Sequence, residues 1–198
     1  MITYVHTNIY KISDYARHLK NLTEEDRYSR FGYKASDYNI DSLVLNMCYN
    51  PKDHELWYAR DDDKRVGWGH MAKNKDGSWE LAVSVDKEFQ RQGIADKLMS
   101  EMIVWAKFHH IPEVYMHCIE NNKVIQHLAA KHELKTKERG EGERTAAIEV
   151  PEPSLVEVST QLFKEQDEIV REINRLRGKL ASLWLNPTHQ TDGLSNHK

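Results

Sequence analysis

The residues best suited to chemistry lie between Gln90 and Ala95, in the segment Gln-Arg-Gln-Gly-Ile-Ala. This segment separates a predicted strand from a predicted amphipathic helix. The first main-chain N–H groups of a helix carry partial positive charge and have no partner within the helix. Gly93 would let a ligand approach the backbone closely, and Arg91 adds a formal positive charge. The turn could therefore hold a pyrophosphate, and an ordinary strand-to-helix turn is the alternative.

The elements around this turn predict a mixed sheet. Three strands after Pro51 should form an antiparallel meander, because Asp76-Gly77 is a strong hairpin signal between the second and the third. The predicted order is β-α-α-α-β-β-β-α-β-α-β-β, which places the chain in the α/β (α+β) class with a mixed, mostly antiparallel sheet flanked by helices. The predicted bounds are strands over 1–8, 79–85 and 114–119 and helices over 12–22, 36–47, 95–108 and 122–134.

Composition argues against several classes of function. The 198 residues are 30% charged and carry a net charge of −3, so neither nucleic acid nor a membrane is an expected partner. Cys48 and Cys118 show neither a disulfide framework nor metal-type spacing, which favours a reducing, cytoplasmic setting without a bound metal. The acidic run at Asp61–Asp63 is interpreted as a solvated turn, and the His109-His110 pair as cations that favour a helix C-terminus.

A separate element is predicted beyond residue 150. Ser154 and Glu157 form a capping-box pattern, and apolar residues then recur at alternating spacings of four and three from Leu155 to Leu183. These heptads predict a coiled coil that forms a homodimer, folds back on the first domain or binds another protein. Self-association is favoured, because several Leu and Ile side chains need a partner surface. The predicted organisation is a first domain over 1–150, a long amphipathic helix over 151–186 and a disordered tail over 187–198.

Several of these features together resemble a known family. The segment from Gln90 to Ala95 is similar to the acetyl-CoA motif Q/R-x-x-G-x-G/A of the GNAT acetyltransferase superfamily. The elements that follow it, and the order of elements over 1–150, also agree with that family. The segments 25–32 (EDRYSRFG) and 79–83 (WELAV) resemble the acetyltransferase domain of bacterial protein lysine acetyltransferases. The resemblance covers about three quarters of the chain and implies a GNAT fold.

The resemblance also implies a cofactor site for acetyl-CoA as co-substrate. The main-chain amides of the turn would hold the pyrophosphate, and the preceding strand would bond to the pantetheine arm. A splay between that strand and the strand predicted over 114–119 would admit the thioester. An asparagine that opens the next helix would contact the same arm. The residues assigned to the cofactor in this way are Ala82, Val83, Ser84, Val85, Gln90, Arg91, Gln92, Gly93, Ile94, Ala95 and Asn122.

Glu80 is the predicted general base. The acceptor is expected to be a protein lysine, an N-terminal amine or a small-molecule amine, and such amines are mostly protonated at neutral pH. The resemblance aligns Glu80 with the glutamate that accepts this proton in the subgroup. Leu81 and Val83 suggest an apolar wall that would make the carboxylate a better base. A solvent-facing position on an alternating strand is the alternative.

The sequence departs from the family at the position of its general acid. Ala129 stands where many members have a tyrosine that protonates the leaving thiolate. Glu133-Leu134 replaces the usual Gly-Phe that closes the same helix. Transfer is still possible, since a thiolate can leave unassisted or take a proton from water. The alternative function is a catalytically inactive GNAT-fold binding or structural module that works through its C-terminal coiled-coil helix.

Overall fold

A computed structural model describes residues 1–7, 11–118, 135–138 and 144–185 of the chain. The chain forms two compact units, Met1–Glu152 and Pro153–Lys198. The predicted helix 122–134, which carries Asn122 and Ala129, and the predicted tail 187–198 lie outside the described residues.

In the described part of the first unit, seven strands form one mixed sheet in the order β1-β2-β3-β4-β5-β7-β6. The pairing of β4 with β5 is parallel, and every other neighbouring pair is antiparallel. The predicted mixed sheet with its antiparallel meander is therefore confirmed. The strands are β1 Ile2–Thr7, β2 His54–Asp61, β3 Lys64–Lys73, β4 Trp79–Val85, β5 Glu113–Cys118, β6 Lys135–Glu138 and β7 Arg144–Glu149.

Polar caps fix the ends of the early helices. The Thr23 side chain accepts a hydrogen bond from the N–H of Asp26, and Ser36 forms a reciprocal capping box with Asn39. Gly32 ends its helix in the left-handed conformation. The helices that the structure describes in the first unit are α1 Ile12–Asn21, α2 Glu24–Phe31, α3 Asp37–Tyr49 and α4 Ile94–Phe108, with short 3₁₀ turns at Pro51–Asp53 and Lys87–Phe89.

The alternation of β4 sends its side chains into two separate cores. Leu81 and Val85 are buried in a cluster with Ile94 and the apolar face of α4. The other face of the sheet is covered by a second cluster, in which Trp68 packs with Tyr15 and other residues of the early helices. The side chains of Glu80, Ala82 and Ser84, which alternate with Leu81, therefore face the early helices.

The second unit contains one long helix, α5 Leu155–Leu185. The Ser154 hydroxyl accepts from the N–H of Glu157 at 3.2 Å, and Glu157 Oε2 accepts from the N–H of Ser154 at 2.8 Å. This capping box explains why the helix begins at Leu155. None of the helices in the described part of the chain is long and apolar enough to cross a membrane. The exposed apolar residues of α5 are Leu155, Val156, Leu162, Phe163, Val170, Ile173, Leu176 and Leu180.

Candidate cofactor and catalytic site

The turn from Gln90 to Ala95 presents its main chain outward. Arg91 and Gly93 have positive φ angles of 59° and 78°, on either side of Gln92. Alternating conformations of this kind form concave nests of N–H groups that bind anions. Gly93 caps α4 without a side-chain hydrogen bond, and a Cβ added to it would meet no atom within 4 Å. The space above the turn is open to a ligand.

No main-chain carbonyl of the described residues accepts a hydrogen bond from the N–H groups of Gln92 to Ala95. The side chains of Ile94 and Gln90 hold these groups in place. Ile94 is 2% exposed and lies in the apolar cluster formed with α4, where it anchors the first turn of the helix. The side chain of Gln90 donates to Asp26 Oδ1 at 2.9 Å and to the carbonyl of Val85 at 3.1 Å. Gln90 therefore braces the turn against α2.

The strands β4 and β5 diverge next to this turn. β4 pairs with β3 along its whole length, but with β5 it pairs only at Trp79 with Val114 and at Glu80 with Tyr115. The edge of β4 over residues 81–85 therefore has no strand partner toward β5 among the described residues. The predicted cofactor residues Ala82, Val83, Ser84 and Val85 all lie on this edge, which leads to the Gln90–Ala95 turn.

Glu80 lies at the last pair before the strands diverge. It alternates with Leu81, which is buried in the apolar cluster formed with α4, and with Val83, which packs against that cluster. The expected apolar wall from these two residues is therefore wrong, because successive side chains of a strand point to opposite faces. Glu80 is half-buried and shares its face with Ser84 and with Tyr115, its partner on β5. The Tyr115 hydroxyl donates to Glu113 Oε2 at 2.5 Å. A phenol and two carboxylates, those of Glu80 and Glu113, therefore lie beside the point where the two strands begin to diverge.

A buried histidine joins α1 to the end of β4. His18 Nε2 is 2.8 Å from Ser84 Oγ, and His18 Nδ1 is 2.9 Å from Asp86 Oδ1. This order of groups is the one that activates a serine nucleophile. A cavity of about 520 Å³ adjoins His18 and Asp86, but Ser84 is not among the residues that line it. These contacts link α1 to the end of the strand that leads to the Gln90–Ala95 turn.

A second polar cluster lies over the same face of the sheet. Arg30 Nη2 is 3.0 Å from Tyr15 Oη and 3.3 Å from His70 Nδ1. His70 Nε2 lies 3.1 Å from His54 Nδ1. Because Arg30 can only donate, His70 Nδ1 accepts this hydrogen bond. The cluster therefore links Arg30 through His70 to His54, whose Nε2 lies 3.3 Å from Asn46 Nδ2.

The pKa values of both histidines of this cluster are lowered, which favours their neutral forms. Burial, followed by repulsion from Arg30 and from a protonated His54, lowers the pKa of His70 well below its ordinary value of 6.5. Burial also lowers the pKa of His54, and the carboxylate of Asp53 opposes this in part. The guanidinium of Arg30 therefore faces neutral partners.

The sequence does not link the residues of either polar cluster to one another. His18 and Ser84 are separated by 66 residues and Arg30 and His70 by 40, so no local pattern links them. A weak signal existed in β2 and β3, where His54 and His70 alternate with residues of the opposite face. Histidines that occupy inward positions of strands require polar partners, but the sequence does not name those partners.

Comparisons with solved structures show where this fold occurs. The PaiA N-acetyltransferase of Thermoplasma acidophilum, in complex with coenzyme A, is 14% identical with a TM-score of 0.58 over 75% of this chain and 99% of that chain. The GNAT domain of S. lividans PAT is 13% identical with a TM-score of 0.60 over 74% and 89%. Salmonella typhimurium yncA, solved with acetyl-CoA, is 10% identical with a TM-score of 0.58 over 78% and 96%. These similarities establish the fold.

Sequence comparison supplies the family. A search of curated proteins found no match. The model of the acetyltransferase (GNAT) family matches residues 16–133, which include the diverging strand β4, Glu80 and the Gln90–Ala95 turn. Because the match spans more than half of the 198 residues, the chain belongs to the acetyltransferase (GNAT) family.

Proposed function

We propose that the chain transfers the acetyl group of acetyl-CoA to a primary amine. The observation that carries this proposal is the open row of main-chain N–H groups from Gln92 to Ala95, at the end of a strand edge that has no partner toward β5. A diphosphate fits such a row because its charge meets the positive end of α4. Solved relatives of the same fold were crystallised with coenzyme A or acetyl-CoA, which supports the same ligand here.

Separate groups of residues would bind the cofactor and accept the proton of the amine. The amides of the turn would bind the diphosphate, and Arg91, which is exposed, would add positive charge beside it. The main chain of residues 82–85 would bond to the pantetheine arm, with Asn122 as a further contact. Acetyl-CoA supplies the activated thioester. Glu80 would accept the proton of the acceptor ammonium, directly or through water, so that the amine lone pair is free to attack.

The acceptor amine belongs to a protein lysine, a protein N-terminus or a small molecule. The weak similarity to the GNAT domain of S. lividans PAT, at 13% identity, is consistent with the resemblance to bacterial protein lysine acetyltransferases. The cytoplasm is the proposed location. The exposed apolar residues of α5 support self-association through the heptads from Leu155 to Leu183, because burying each Leu or Ile is worth about 1.5–3 kcal/mol.

Two measurements test the proposal. Calorimetry with acetyl-CoA should show saturable binding, and a chain that binds none at millimolar ligand has no such site. Release of free thiol in the presence of primary amines should then report transfer. Glu80→Gln should lower turnover by about 10²-fold while the affinity for acetyl-CoA stays close to that of the wild type. An unchanged turnover would show that another group or water takes the proton.

The second candidate is an inactive GNAT-fold module that works through α5. Two observations favour it, the alanine at position 129 and the exposed apolar residues of α5. This module would bind a protein partner or a second copy and would show no thiol release with any amine. Binding of acetyl-CoA together with transfer excludes it.

A further inference from the structure

Arg30 is a half-buried cation on α2 that has no anionic partner among the described residues. Its hydrogen bonds to Tyr15 and His70 both use Nη2, and both reach groups without a negative charge. Its Nε, like that of Arg65, is buried and has no hydrogen-bond partner in the described part of the chain. No carboxylate lies within ion-pair distance of Arg30 in the part of the chain that the structure describes.

Other arginines in the same region are paired. Arg27 lies 2.8 Å from a carboxylate oxygen of Asp37, and both Arg17 and Arg65 lie 3.1 Å from oxygens of Asp14. Placing a guanidinium in a partly buried position without a counter-charge is unfavourable, since hydration is lost and no ion pair replaces it. An anion that arrives with a ligand would remove this deficit.

Arg30 lies over the face of the sheet that carries Glu80. His70, which bonds to Arg30, is paired with Ala82 on β4, and Glu80 is paired with Ala72 on β3. Glu80 and His70 are therefore diagonal neighbours on adjacent strands, and residues in such positions lie about 7–8 Å apart on the same face of the sheet. A ligand that brings an amine to Glu80 can thus reach Arg30 with another part of the same molecule.

We propose that the acceptor is an amine that also carries a carboxylate, and that Arg30 binds this carboxylate while the amine lies at Glu80. The inference rests on the proposed function and names its substrate class. A guanidinium and a carboxylate form charge-assisted hydrogen bonds, which are stronger than bonds between neutral groups. Tyr15 and His70 hold the guanidinium in place before the acceptor binds, so little side-chain freedom is lost on binding.

The test compares amino acids with their amides as acceptors at saturating acetyl-CoA. A series from glycine through β-alanine, 4-aminobutyrate and 5-aminopentanoate to 6-aminohexanoate varies the distance between amine and carboxylate. At least one acid should exceed its own amide in kcat/KM by about tenfold or more. Arg30→Gln should remove this preference, Arg30→Lys should keep part of it, and Arg17→Gln, which alters a surface arginine already paired with Asp14, should leave it unchanged.

The outcomes separate this inference from the proposed function. Equal kcat/KM for every acid and its amide in the wild type overturns the inference, even if acetyl transfer is rapid. An equal loss for acids and amides in Arg30→Gln also overturns it, because Arg30 would then be only a structural brace. If Arg30→Gln does not fold, the wild-type comparison and Arg30→Lys still decide the question. Absence of acetyl-CoA binding overturns the proposed function as well as the inference.

Discussion

Gly93→Ala tests whether the cofactor turn binds through its main chain. Gly93 has a φ of +78°, and a Cβ built there meets no atom within 4 Å. The loss of stability should therefore come from backbone conformation alone, at about 1–2 kcal/mol for a residue with a side chain in the left-handed region. The same methyl group would project into the open space above the amides. We expect the affinity for acetyl-CoA to fall by about tenfold or more.

Gly77→Ala is the matched control for this prediction. Gly77 lies in the turn between β3 and β4, has a φ of +86° and also has open space around its Cβ position. It should lose a similar amount of stability, but it should bind acetyl-CoA as the wild type does. Urea unfolding gives the free energy of unfolding of each variant, and calorimetry gives the affinity.

Two patterns of results would refute the reasoning. If Gly93→Ala loses stability but keeps the affinity of the wild type, the amides from Gln92 to Ala95 do not hold the diphosphate. If both variants lose affinity equally, the effect reports general destabilisation and not a ligand at the turn. Only a loss confined to Gly93→Ala supports the proposed site.

Two further predictions concern stability and assembly. Because folding lowers the pKa of His70, the unfolded chain binds more protons below about pH 6.5, so the free energy of unfolding should fall with decreasing pH by up to about 1.4 kcal/mol per pH unit for this histidine. Urea unfolding at several pH values gives the free energy of unfolding as a function of pH. This free energy should change less steeply with pH in His70→Gln than in His110→Gln, which alters an exposed histidine. Equal steepness in the two variants would contradict the role given to His70. Leu176→Asp combined with Leu180→Asp should give a smaller species than the wild type by size-exclusion chromatography. A wild type that already elutes as a monomer would contradict self-association.

The sequence predicts the parts of the site that depend on neighbouring residues. The Asp76-Gly77 turn and the alternation around it specify the meander, and this meander places β4 beside the Gln90–Ala95 turn. The start of α4 follows from Gly93 and the apolar spacing that comes after it. Each of these features involves residues within one or two elements, so a local pattern contains the necessary information.

The same local rule shows why the expected wall around Glu80 is wrong. Leu81 and Val83 are one and three residues from Glu80, and an odd separation places side chains on opposite faces of a strand. Ala82 and Ser84 of the same strand share its face, and its other neighbours come from other strands, such as Tyr115, and from the early helices. Their identity depends on register and on helix packing, which the sequence of β4 does not contain.

The polar contacts between the early helices and β4 explain why the candidate site could not be read from the motif alone. Asp26 reaches the side chain of Gln90, and His18 reaches Ser84 and Asp86, across 64 to 68 residues of sequence. These contacts hold α1 and α2 against the strand and the turn that would receive the cofactor. Arg30, on the same α2, is thereby held over the face that carries Glu80. The cofactor turn and the proposed acceptor contact are therefore positioned by one set of contacts, so a shift of α2 would displace both.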